Sequence, residues 1–243
     1  MNIWPQLRRL KPGWYVLAGL LFYSVVITVL LLRSHAEVRE LRRVQLELAE
    51  PAPQATAPAG LWFPIVGAHL PQDPRHWPGA PREFRLGVSQ GFTFVDQGAG
   101  IAIPYGTPVI ASGDGVLIRV DHDYRELDPE AWQALIQEVG QRGATEEELD
   151  RLRGRQLWLQ LDDGRLIRYG HLSRVREGLS NGQRVYRGQV IGYVGNSGTD
   201  GGVRGTLTTA RLHYELWQDG NYFGSGLDAD TVRLRAAALF VGP

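Results

Sequence analysis

From residue 107 to residue 217 the chain is cut into short β-branched and aromatic runs by glycines, and this rhythm leaves few folds open to it. The runs are 107–112 (TPVIAS), 115–120 (GVLIRV), 156–161 (QLWLQL), 165–169 (RLIRY), 189–194 (QVIGYV) and 212–217 (LHYELW). Apolar and polar residues alternate in several of them, as strands buried on one face require. Asp162-Asp163-Gly164 supplies a tight hairpin turn between two runs. An antiparallel β domain is therefore predicted. Between the second and third runs the signals change. Asp128 followed by Pro129 predicts a helix start, and Thr145 with Glu148 has the spacing of a capping box. The expected fold is mainly β, a sandwich-like antiparallel sheet with an open groove and a helical hairpin inserted over about 128–152.

The domain is predicted to occupy 61–235, with a C-terminal tail at 236–243. Ahead of it, residues 50–60 are rich in Pro and Ala and read as an extended linker. Val38, Leu41, Val44 and Leu48 recur at helical spacing, so 33–49 is expected to be a juxtamembrane helical stalk through which copies could self-associate. Residues 14–32 form an uncharged apolar stretch, long enough at ~1.5 Å per helical residue to cross most of a ~30 Å hydrocarbon layer. One transmembrane helix is expected there, after a short tail at 1–13. A signal peptide cleaved after Ala36 is the competing reading of this region. Basic residues flank the stretch on both sides, so charge alone does not orient it.

Composition narrows the function classes. Acidic and basic residues balance at 26 each, so no global field favours nucleic acid. The chain has no cysteine, which excludes disulfides, thiolate zinc sites and a cysteine nucleophile. Any metal would have to rest on His, Asp or Glu.

Four phrases then carry a specific resemblance. Residues 103–116 (IPYGTPVIASGDGV) are similar to the "AP-x-GTPV-x-A-x-x-DG-x-V" run of the lysostaphin-type (LytM-like) zinc metallopeptidases. Residues 168–173 (RYGHLS) resemble that family's "YxHLS", 182–198 its "GxxVxxGQxIGxxGxxG", and 211–215 (RLHYE) its "HLHxE". The glycine-rich phrase alone also resembles half of a biotinyl or lipoyl carrier, but that fold needs a lysine at a hairpin tip, and the only lysine is Lys11.

The resemblance implies a zinc site built from the His and Asp of an "HxGxD" strand and the second His of "HxH". The first His of that pair and the His of "YxHL" would act on substrate and protons. Here "HxGxD" aligns with 89–93 (SQGFT), so Ser89 and Thr93 stand where an imidazole and a carboxylate are expected. His213 keeps the third ligand position and His171 the "YxHL" position, while Arg211 replaces the first His of the pair. An arginine stays protonated and cannot serve as a general base, although its fork can hold a carboxylate.

The expected groove residues are therefore His171, Arg211, His213, Ser89 and Thr93, with no metal or cofactor expected. His69, His76 and His122 read as solvated loop histidines, Asp96 as facing away from Thr93, and Trp132 as helix packing. Arg211 has two readings, a carboxylate-binding group or a partner of Glu215. The enzyme question is left open and leans toward a catalytically inactive, membrane-anchored domain on the extracytoplasmic side. Such a domain would bind peptidoglycan, or regulate a wall hydrolase or a division protein. The alternatives are an active zinc endopeptidase with non-standard ligands and a membrane-complex scaffold that uses the helical insertion.

Overall fold

The computed structural model describes residues 20–28 and 60–242. Two units separate at Ala57 and Pro58. In the first, residues 20–28 are helical, with the Thr28 hydroxyl donating to the Ser24 carbonyl at 2.8 Å. The remainder of the expected span, the stalk at 33–49 and the linker up to residue 59 lie outside the described residues. Among the described residues, no helix is long and apolar enough to cross a membrane.

The second unit is an antiparallel β domain. Its strands in chain order are β1 (Pro81–Arg82), β2 (Gly87–Val88), β3 (Phe92–Val95), β4 (Pro108–Ile110), β5 (Gly115–Val120), β6 (Leu157–Leu161), β7 (Leu166–Gly170), β8 (Leu172–Val175), β9 (Arg184–Val185), β10 (Val190–Val194), β11 (Arg211–Gln218) and β12 (Asn221–Tyr222). The larger sheet runs β12-β11-β7-β6-β5-β9, with β3 also paired to β11; a smaller sheet runs β4-β10-β8. Period-2 alternation places Leu157, Leu159 and Leu161 of β6 and Leu212, Tyr214 and Leu216 of β11 in the core. They share one hydrophobic cluster with Val109, Leu172, Ile191 and Val194 of the smaller sheet. Aromatic rings thicken this core: Tyr214 packs edge-on against Phe94 and Tyr169, with centroids 6.4 and 5.5 Å apart.

The insertion between β5 and β6 is a pair of helices, α1 (Pro129–Arg142) and α2 (Glu146–Arg153). Asp128 caps α1 by accepting from the Ala131 amide at 2.8 Å. Thr145 and Glu148 make the reciprocal capping box of α2. Leu135 and Val139 of α1 meet Leu149 and Leu152 of α2 in a small core of their own. Gly154 ends α2 at φ +67°, where an added Cβ would lie 2.3 Å from the Ser197 backbone. The domain also continues beyond residue 235. A short helix α3 (Asp200–Val203) precedes β11, and α4 (Ala229–Leu239) closes the chain. Ala236 and Phe240 are buried in the main core, and Leu61 bridges to Phe240, so part of the segment read as a tail is core.

Candidate functional site

Alternation along β11 builds the floor of a cavity. With Leu212, Tyr214 and Leu216 facing the core, Arg211, His213 and Glu215 fall on the opposite face. β3 lies against the first half of this strand, and its register sets Thr93 opposite His213. Gly91 makes that approach feasible: a Cβ there would sit 2.2 Å from the Tyr214 carbonyl oxygen. On the other side of β11, His213 is opposite Gly170, the last residue of β7. The next residue, His171, marks the corner where the chain leaves the larger sheet for the smaller one. Its backbone is left-handed, at φ +59°, and its amide donates to the Arg153 carbonyl at 2.7 Å.

The hydrogen bonds fix both imidazoles. His171 Nδ1 is 2.7 Å from the Ser197 carbonyl oxygen, which can only accept, so Nδ1 carries the proton and Nε2 the lone pair. His213 Nε2 is 3.2 Å from a carboxylate oxygen of Glu215, and Nδ1 is 3.2 Å from Thr93 Oγ1. A neutral ring therefore donates from Nε2 to Glu215 and accepts the Thr93 hydroxyl proton at Nδ1. Burial keeps both rings neutral. It lowers His213 below its ordinary value; burial, then Arg211 and His213, brings His171 down to about 3.

Glu215 is the charged centre of this floor. Its carboxylate is 1% exposed and accepts from Arg153 Nε at 2.7 Å and from Trp217 Nε1 at 2.7 Å. Arg168, held between the rings of Trp158 and Trp217, reaches to 3.6 Å. Desolvation by itself would raise the carboxyl's pKa, but His213 and Arg153 together hold it well below the usual range. Arg153 is the last residue of α2, so the inserted hairpin is pinned to the floor of the site by a buried ion pair. Arg153 also donates to the Gln90 side chain, next to β3.

Above the floor is a cavity of about 720 Å³. Phe84, Trp132, Ile136, Leu149 and Leu152 form apolar wall, and Arg82, Arg85 and Arg211 line it as cations.

The sequence model of Peptidase family M23 matches residues 95–224, more than half of the 243-residue chain. The chain belongs to Peptidase family M23. Over 121 residues it is 32% identical to the peptidoglycan DD-endopeptidase ShyA of Vibrio cholerae serotype O1, an alignment covering 49% of this chain and 20% of that protein. The chain thus spans about a fifth of the length of that curated relative. Among solved structures, a zinc-containing peptidase from Vibrio cholerae aligns at a TM-score of 0.41 and 21% identity, covering 67% of this chain and 38% of that one. The catalytic domain of lysostaphin from Staphylococcus simulans aligns at 0.37 and 20%, covering 60% and 82%.

Membership of the M23 family makes zinc the metal to test against these residues. A catalytic zinc takes three imidazole or carboxylate ligands and leaves one position open. The Ser89 hydroxyl is buried and donates to the Gly91 carbonyl at 2.9 Å; unlike the other four expected groove residues, Ser89 does not line the cavity. Thr93 and Glu215 engage both nitrogens of His213. Among the described residues, no group of three His, Asp or Glu is arranged to hold a metal ion. These residues do not fit zinc.

The remaining expectations separate. Arg211, His213, Thr93 and His171 do come together in the cavity, with the two imidazole centroids 6.0 Å apart. The pairing of Arg211 with Glu215 is not what the structure shows, because Arg153 and Arg168 already hold that carboxylate. Instead Arg211 Nε donates to the Thr209 carbonyl at 3.0 Å. Asp96 accepts from the Ile103 amide at 2.8 Å, and His122 Nε2 lies 2.7 Å from the Leu179 carbonyl. His69 packs edge-on to Phe63. His76 is a correction: it lines the cavity beside Arg82. Trp132 packs into the hairpin and also lines the cavity. Sequence reasoning missed Arg82, Arg85 and Arg153. All three lie outside the four motif phrases, and Arg153 had an adequate local role as a basic residue in the last turn of a helix.

Proposed function

We propose that this chain is a membrane-anchored M23 domain that binds peptide in the cell wall and does not cut it. The observation that carries the reading is the double engagement of His213 by Thr93 and Glu215, which spends both nitrogens at the one retained ligand position. Kinship with peptidoglycan endopeptidases supports the wall as the place of action, and peptide stems carry carboxylates that a guanidinium can hold. In this reading residues 14–32 anchor the chain and the β domain lies on the extracytoplasmic side. Wall peptide, a wall hydrolase or a division protein is the partner.

The test uses the full chain purified in detergent with zinc in the buffer. Metal content well below one zinc per chain, no release of cross-linked peptides from sacculi, and co-sedimentation with those sacculi are expected. Stoichiometric zinc together with cleavage would establish the endopeptidase reading in its place. Deleting 1–33 should shift the protein from the membrane fraction to the soluble fraction with its thermal transition retained.

A further inference from the structure

Three arginines of the cavity have no carboxylate within ion-pair distance among the described residues. Every other charged group of the lining except His76 is engaged: Arg75 pairs with Asp73, Arg153 with Glu215, and Asp200 with Arg204. Arg82 donates only to the carbonyls of Arg75 and Pro81, Arg85 to that of Val88, and Arg211 to that of Thr209. Each guanidinium has five N–H donors, so each retains donors for a ligand. Burial lowers all three, and like charge adds to it at Arg82 and Arg85. Burial, then Arg211, lowers Arg82; burial, then Arg153 and Arg82, brings Arg85 to about 10.

Three parts of the chain bring this chemistry together, with Arg211 at the start of β11. Arg82 and Arg85 come from β1 and the single turn of helix that follows it (Glu83–Arg85), which packs against α1. Trp132 and Ile136 of α1, with the edges of the buried Leu149 and Leu152 of α2, supply the apolar lining. A cavity of about 720 Å³ lies within the size range of small-ligand pockets, roughly 300–1,000 Å³. An anion alone would leave the apolar wall wet, and an apolar group alone would leave the arginines without a counter-charge.

We infer that the cavity binds a peptide in which a carboxylate stands beside a bulky apolar side chain, the carboxylate on Arg82 and Arg211 and the side chain against Trp132, Ile136 and the α2 leucines. This rests on the proposal that the groove binds peptide without cutting it, and it chooses among the partners named there: the methyl side chain of an alanyl residue is too small to cover the wall, so the occupant is a segment of the protein partner that carries a bulky apolar residue. Arginine forks hold phosphate as well as carboxylate, so the test includes both.

The test is calorimetric titration of the full chain in nanodiscs, with empty nanodiscs as blank. The probes are N-acetyl-Ala-Ala-Phe as the free acid, the same peptide as its amide, N-acetyl-Ala-Ala-Ala as the free acid, and phenyl phosphate. The phenylalanine acid should bind about tenfold tighter than its amide and about tenfold tighter than the alanine acid. Arg82→Gln and Arg211→Gln should abolish the acid-over-amide preference and keep the preference for phenylalanine. Trp132→Ala should do the reverse. Circular dichroism shows whether each variant is folded; the two unfavoured peptides test the same point on the native chain if one is not. Equal binding of acid and amide, equal binding of phenylalanine and alanine acids, or tighter binding of phenyl phosphate overturns the inference. Zinc content and cleavage of the same peptides, measured on the same sample, report separately whether the non-cutting reading has failed.

Discussion

Replacing Glu215 by glutamine removes the buried negative charge from a cluster that holds two guanidinium groups, leaving Arg153 only the exposed Glu146 at 3.7 Å. The native carboxylate is 1% exposed, Arg153 is 7% exposed, and their contact is 2.7 Å. Arg168 stands at 3.6 Å, Trp217 Nε1 at 2.7 Å and His213 Nε2 at 3.2 Å from the same carboxylate. Glutamine keeps the shape but presents one amide nitrogen, a donor, to groups that are all donors. Breaking a buried pair while leaving one charge behind costs about 3–5 kcal/mol. Against a total stability of roughly 5–15 kcal/mol for a domain, that is a large share. Urea unfolding of the full chain in detergent, followed by tryptophan fluorescence, should show the midpoint fall at unchanged slope. Arg153→Met removes the nearer cation and leaves Glu215 with Arg168 at 3.6 Å, and a smaller loss in the same direction is expected. If Glu215→Gln unfolds within about 1 kcal/mol of the native chain, the carboxylate is hydrated and its role as the anchor of the hairpin is wrong.

Acid should destabilise the domain in two stages. Because the fold holds His171 and His213 below their ordinary value of 6.5, stability is complete above that pH and declines as pH falls from 6.5 toward 3, the range in which the unfolded chain takes up protons first. Glu215, held below its ordinary 4.5, adds a loss below that value, so thermal midpoints flat from pH 7 to pH 4 would contradict both assignments. Gly91→Ala should cost about 1–3 kcal/mol by pushing β3 from β11, and an unchanged urea midpoint would show that the strands are not in close contact there. Thr93→Val should cost about 1–3 kcal/mol by leaving His213 Nδ1 without its donor and should move the His213 imidazole resonances in NMR; unmoved resonances would dissociate the pair.

What the sequence shows of this protein is what local rules decide. The caps of α1 and α2 were legible because capping is settled within four residues, and the structure has Asp128 and the Thr145–Glu148 box making those bonds. β6 and β11 were legible because alternation is settled within one strand. The two-residue strands β1, β2, β9 and β12 offer no period to read. In the same way, the motif spacing brought His171, Arg211 and His213 to one place. It misplaced Ser89, whose alignment with a ligand position says nothing about where a short hydroxyl finds its acceptor. Helix α4 was missed although Asp228 caps it through the Thr231 amide at 2.9 Å, because a short run of small residues after the last motif resembles a tail in composition.

The contact that the sequence could not show is the one that organises the site. Arg153 and Glu215 are 62 residues apart, and each had a sufficient local explanation: a cation at a helix end, and an acid in a strand motif. Their pairing joins the inserted hairpin to β11 at the residue that also orients His213. Arg153 further supplies the carbonyl that receives the His171 amide at 2.7 Å. The end of α2 therefore holds both histidines, through the backbone amide of His171 and, at the His213 ring, through Glu215. A hairpin that served only as a platform for another protein would need no such attachment, and shortening or moving it would leave the floor of the cavity intact. Here the same helix supplies the apolar wall, the cation that neutralises Glu215 and the backbone acceptor that holds His171 in its left-handed turn, so the insertion is part of the site.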